Sequence, residues 1–123
     1  MKKIIAALII ACSFQIADAQ LANTSWTGSI STGGGSMNAL WKLTADTSYF
    51  YNSDDNVLVD VSVFKVQDST VTIRRVSGES SCDDTEGVYK FTVANGEFKL
   101  FVVKDACTDR ADALDKNTFK QKK

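Results

Sequence analysis

The stretch Tyr89-Lys90-Phe91-Thr92-Val93-Ala94-Asn95-Gly96-Glu97-Phe98-Lys99-Leu100-Phe101-Val102-Val103 decides the fold. Tyr89, Phe91 and Val93 alternate with Lys90 and Thr92. Phe98, Leu100 and Val102 alternate with Lys99, Phe101 and Val103. Successive side chains of a strand point to opposite faces, so period two means strand and not helix. Asn95-Gly96 stands between the two runs. A two-residue type I′ turn needs positive φ at both central positions, which Asn-Gly tolerates best, so this segment predicts a hairpin.

The same grammar continues outward. Val57, Val59, Val61 and Val63 fall on one face of a strand, with Asp60, Ser62 and Phe64 on the other. Val71 and Ile73 alternate with Thr72 and Arg74. Asn52–Asn56 divides the valine run from Tyr49–Tyr51, and Gln67-Asp68-Ser69 joins it to the strand after it. Further upstream, Gly33-Gly34-Gly35 separates a strand at Ser25–Ile30 from one at Asn38–Leu43. No Lys-Ser/Thr follows the glycines and no helix opens there, so they read as a turn and not as a phosphate loop. Thr118–Gln121 supplies an eighth strand. Thr108–Leu114 reads as a short helix, with Thr108 as N-cap and Asp109 in the first turn.

Eight antiparallel strands on one short chain leave two exposed edges unless the sheet closes. The expected fold is therefore all-β: a small antiparallel up-and-down barrel with one short helix near the C-terminus. A two-sheet sandwich is the competing arrangement. An eight-stranded barrel has an interior that side chains can fill or that can hold one small ligand.

Composition removes several functions. The chain has 123 residues, 14 basic and 15 acidic side chains, no His and no Pro. Without a basic excess, nucleic acid is not an expected partner. Without His, neither a Ser-His-Asp or Cys-His catalytic group nor a histidine metal site can be built. No enzyme activity and no cofactor are expected. The acidic run Cys82-Asp83-Asp84-Thr85-Glu86-Gly87 lacks ordered calcium-loop spacing and reads as a solvated loop, with no metal.

The N-terminus reads as an address. Lys2 and Lys3 precede an apolar run from Ile4 to Ala11, and Ala17-Asp18-Ala19 makes a cleavage site before Gln20. The run is far short of the roughly 20 residues a membrane-spanning helix needs. This divides the chain into a signal peptide, 1–19, and a barrel domain, 20–123, secreted or periplasmic after cleavage at Ala19. The rival reading takes Ile9-Ile10-Ala11-Cys12 as a lipoprotein box, with Cys12 as the anchor. Cleavage at Ala19 leaves two cysteines, Cys82 and Cys107. An even count outside the cytoplasm reads as a disulfide, closing a loop of about 26 residues worth roughly 3–4 kcal/mol. A redox-active pair is the alternative, but the spacing is not C-x-x-C.

Two regions resemble the calycin superfamily and, within it, bacterial exported lipocalin-like domains. The first is Asn23-Thr24-Ser25-Trp26-Thr27-Gly28, similar to the Gly-x-Trp segment that opens lipocalin barrels, with Thr24 where the Gly would stand. The second runs Cys82, Gly87-x-Tyr89, Phe98-x-Leu100, Asp105-x-Cys107-x-x-Arg110, then Leu114. The resemblance implies a barrel with a ligand cavity. It also implies that Arg110 closes the barrel by packing over Trp26, where a guanidinium can stack on the indole.

A cavity, if open, draws its lining from one strand face: Leu40, Tyr49, Tyr51, Val59, Val61, Ile73, Tyr89, Phe91, Leu100 and Val102. The same residues could instead fill a dry core. Depending on register, Asp60 or Arg75 could point inward and fix a head group. Two functions follow. One is a carrier for a small apolar ligand. The other is a protein-binding module, such as a periplasmic lysozyme or protease inhibitor, working through Ser31–Ser36, Asn52–Asn56 and Glu79–Glu86. In either case a monomer without a membrane span is expected.

Overall fold

The computed structural model describes residues 21–32, 34–78, 82 and 84–122. The cleavage site at Ala19, the alternative anchor Cys12 and most of loop 79–83 lie outside them. The described residues form β1 (Thr24–Thr32), β2 (Gly35–Leu43), β3 (Thr47–Asn52), β4 (Val57–Gln67), β5 (Thr70–Gly78), β6 (Glu86–Ala94), β7 (Glu97–Asp105), α1 (Thr108–Leu114) and β8 (Thr118–Gln121). Each strand pairs antiparallel with the next, and β8 returns to β1 to close a barrel. The sandwich alternative is thereby excluded. Closure is narrow: Trp26 pairs with Gln121 and Thr27 with Lys120.

The Asn95-Gly96 hairpin has the expected backbone, with φ of 55° and 75°. Ala94 and Glu97 pair directly across it. Asp68 takes φ 56° in the β4–β5 turn.

Odd strands run from a floor end to a mouth end, and even strands run back. Trp26, Trp41, Phe98 and Phe119 pack the floor half, all of them 0–2% exposed. Trp41 stacks on Phe98 at 5.6 Å and meets Phe119 edge-on at 5.2 Å. Such ring pairs add about 0.5–1.5 kcal/mol each beyond area burial. Tyr89, Phe91 and Leu100 continue the packing along β6 and β7.

The valine run does not supply the inner face of β4. Ser62 and Phe64 are buried, whereas Val61 and Val63 are only half-buried and Val57 is 52% exposed. The inner face of β4 is thus the Asp60-Ser62-Phe64 set, and the valines clothe the outside. A single buried aromatic, Phe64, meets Trp41 edge-on at 5.7 Å. That contact sets the register against the valines' strand propensity.

The helix has the expected bounds, but its N-cap is Cys107 and not Thr108. Among the described residues no side chain caps it; instead the Asp105 carboxylate accepts the Cys107 N–H at 2.9 Å. Asn117 ties the helix to the barrel, donating through Nδ2 to the carbonyls of Ala113 and Ser29, each at 2.9 Å.

Candidate functional site

Between α1 and the inner faces of β1 to β5 lies a cavity of about 400 Å³. Its walls include Ile30, Met37, Phe50 and Ile73, its floor includes Trp41, and α1 contributes Arg110, Ala113 and Leu114. The β6–β7 side of the barrel is packed, so the interior is half filled and half open. Ligand sites of this kind begin at about 300 Å³.

Of the ten residues expected to line a cavity, Val59 and Ile73 lie along it. Val59 is the extra residue of a β-bulge: Phe50 pairs with Asp60 and Tyr51 with Leu58, which leaves Val59 unpaired. The bulge lets Val59 and Asp60 both reach the mouth. Tyr89, Phe91 and Leu100 belong to the packed core. Leu40, Tyr49, Tyr51 and Val61 belong to the outer face, because their neighbours Trp41, Phe50 and Ser62 take the inner one. Leu40 is still buried, between its cross-strand partners Thr27 and Tyr51. Tyr51 carries the exposed Lys42 ammonium 5.2 Å from its ring centre. Val102 is 37% exposed. A bulge at Val103 and a bond from the Val102 N–H to the Asp115 carboxylate (2.8 Å) turn that end of β7 toward the helix.

The cavity also holds polar groups. Ser48 and Ser62 are cross-strand partners, 3% and 5% exposed, and both line it. Asp60 lines it too and pairs with Arg75 at 3.4 Å. Arg75 donates to the Gly78 carbonyl at 2.6 Å. The two polar residues singled out in the sequence are therefore partners of one another.

Beside the cavity lies a buried network that the sequence did not single out as a unit. Arg110 grips Asp105 through Nε (2.7 Å) and Nη2 (2.8 Å), and Nη2 also donates to the Thr85 carbonyl at 2.9 Å. Tyr89 donates its hydroxyl to the same carboxylate. Burial alone would raise the Asp105 pKa. The bonds from Arg110, Tyr89 and the Cys107 N–H overcome that and hold it below the usual carboxylate range. Burial, then the Asp105 bond and charge, push Tyr89 well above the usual phenol range. Burial works against the Arg110 charge, but Asp105 outweighs it and the guanidinium pKa is raised.

These contacts replace the Arg110–Trp26 closure implied by the resemblance. Trp26 donates its indole N–H to Thr24 (2.7 Å) and packs on Phe98 at the floor. Four residues of β1, about 13 Å of strand, separate it from Ile30, which lines the cavity alongside Arg110. The guanidinium takes carboxylate and carbonyl acceptors, for which its planar fork is shaped.

Cys82 and Cys107 are disulfide-bonded, with Cα atoms 5.4 Å apart. Cys82 is buried and forms part of the cavity wall, so the bridge fastens the start of α1 to the mouth. The bond suits an oxidising compartment. In the acidic run, Asp84 and Glu86 are exposed, while Asp83 is outside the described residues. Among the described residues no helix is long and apolar enough to cross a membrane.

No protein-family model, no curated protein and no solved structure matches this chain.

Proposed function

We propose that the protein is an exported, lipocalin-like carrier that takes one small, mainly apolar molecule into the mouth of its barrel. The observation that carries this reading is the 400 Å³ space among Ile30, Met37, Trp41, Phe50, Ile73 and Leu114. A dry interior would have been filled with side chains, as the β6–β7 half is. The disulfide and the basic-apolar N-terminus support export. No residue set for catalysis is part of this reading.

The test is uptake of a fluorescent apolar probe by the purified protein, together with native mass spectrometry of material from its own host. A bound probe, displaced by small apolar molecules, supports the carrier. Ala113→Phe, which fills the cavity from α1, should abolish uptake while leaving the circular dichroism spectrum intact. Failure of the wild-type protein to bind any probe overturns the reading.

One observation favours a second reading, a protein-binding module. Val57 and Leu58, which follow Asn52–Asn56, are 52% and 44% exposed, and Val76, across β4 at the Val61–Ser62 bulge, is 57% exposed. Exposed apolar side chains on a rigid scaffold suit protein contact. Charge substitution there, Leu58→Glu with Val76→Glu, would abolish partner binding but leave probe uptake unchanged.

A further inference from the structure

We propose that the molecule held in this cavity is uncharged and presents an oxygen acceptor, such as a ketone, ester or ether, to Nη1 of Arg110. The inference deepens the carrier reading and rests on it.

Arg110 has donors to spare. Its side chain is only 8% exposed. The edge bearing Nε and Nη2 faces Asp105 and Thr85, so Nη1 projects away from that edge. Nη1 is buried and has no hydrogen-bond partner among the described residues. Arg110 itself lines the cavity. A buried guanidinium nitrogen without an acceptor is costly, and an acceptor arriving in the cavity would relieve it.

Charge decides which acceptor fits. Asp105, with 0% of its side chain exposed, already neutralises Arg110 through two parallel bonds. A carboxylate ligand would compete with Asp105 for the guanidinium. A neutral oxygen accepts a hydrogen bond from Nη1 without that cost. On the β3–β4 wall, the hydroxyls of Ser48 and Ser62 offer a second neutral polar contact. The recognised class is therefore a small oxygenated apolar molecule and not a fatty acid anion.

The experiment measures displacement of a fluorescent apolar probe from the full-length protein at pH 7 by three ten-carbon compounds: decane, 2-decanone and decanoate. We expect 2-decanone to displace at concentrations about tenfold below decanoate. Arg110→Lys keeps a cation for Asp105 but removes Nη1. It should weaken 2-decanone by about tenfold more than it weakens decane. Decanoate binding as well as 2-decanone, or Arg110→Lys weakening decane and 2-decanone equally, overturns the proposal. If Arg110→Lys does not fold, the comparison of ligands on the wild-type protein decides alone. If the probe binds but 2-decanone gains nothing over decane, the carrier reading survives and this inference fails. If the probe itself does not bind, both fall.

Discussion

Arg110 and Asp105 meet along two parallel N–H···O bonds of 2.7 and 2.8 Å, and the carboxylate is wholly shielded from solvent. The pair joins the end of β7 to α1, five residues apart in sequence. Breaking such a buried pair strands the surviving charge, which costs about 3–5 kcal/mol. We expect Asp105→Asn to destabilise the protein by an amount in that range, read from urea unfolding. Acid should act the same way. The folded Asp105 pKa lies below its unfolded value, so its contribution is complete above about pH 4 and fades as pH falls through the depressed value. Wild-type stability should therefore drop on acidification below about pH 4, and the drop should be smaller in Asp105→Asn. Equal slopes in the two proteins would count against the pair.

Gly87 faces that carboxylate in register. A Cβ there would stand 2.8 Å from Asp105 Cγ and 3.0 Å from Tyr89 Cε1. Neither neighbour can yield, because Asp105 is held by Arg110 and Tyr89 by Asp105. Gly87→Ala should cost about 1–3 kcal/mol by overpacking. Gly34→Ala, with nothing within 4 Å, should be close to neutral. Paired thermal melts of the two variants check the difference.

The Cys82–Cys107 bridge spans 25 residues. Its reduction should lower stability by about 2–4 kcal/mol. Because Cys82 belongs to the cavity wall and Cys107 caps α1, reduction should also weaken probe binding before the barrel unfolds. Titration with reductant, followed in parallel by probe fluorescence and circular dichroism, separates the two losses.

Much of this was legible in the sequence, and the gaps have physical causes. Turn chemistry and period-two alternation located seven strands, with Thr118–Gln121 added as the eighth, since Asn95-Gly96 and its counterparts are local signals. The helix bounds were legible for the same reason. Which face of β4 points inward was not. Four alternating valines outweigh Phe64 by propensity, yet the ring contact between Phe64 and Trp41 is a long-range fact. Bulges at Val59 and Val103 then shift the alternation at the mouth, which spacing cannot reveal. The Tyr89–Asp105–Arg110 network joins residues up to 21 positions apart, as Gly87-x-Tyr89 and Asp105-x-Cys107-x-x-Arg110 hinted without linking them. The cavity itself depends on where α1 crosses the mouth, and no residue pattern states that.

The two tryptophans offer the sharpest local check. Trp26 is 0% and Trp41 2% exposed, so both should emit as buried indoles. Only Trp41 reaches the cavity, while Trp26 lies under Phe98 at the floor. A brominated ten-carbon ketone in the cavity should therefore quench Trp41 and spare Trp26, because heavy-atom quenching needs near contact. Trp26→Phe should retain the quenching and Trp41→Phe should lose it. Each substitution trades one buried ring for a smaller one and should cost about 1–3 kcal/mol, so both variants should stay folded at 25 °C. Equal quenching of the two indoles would put the ligand somewhere other than the mouth, whatever its affinity.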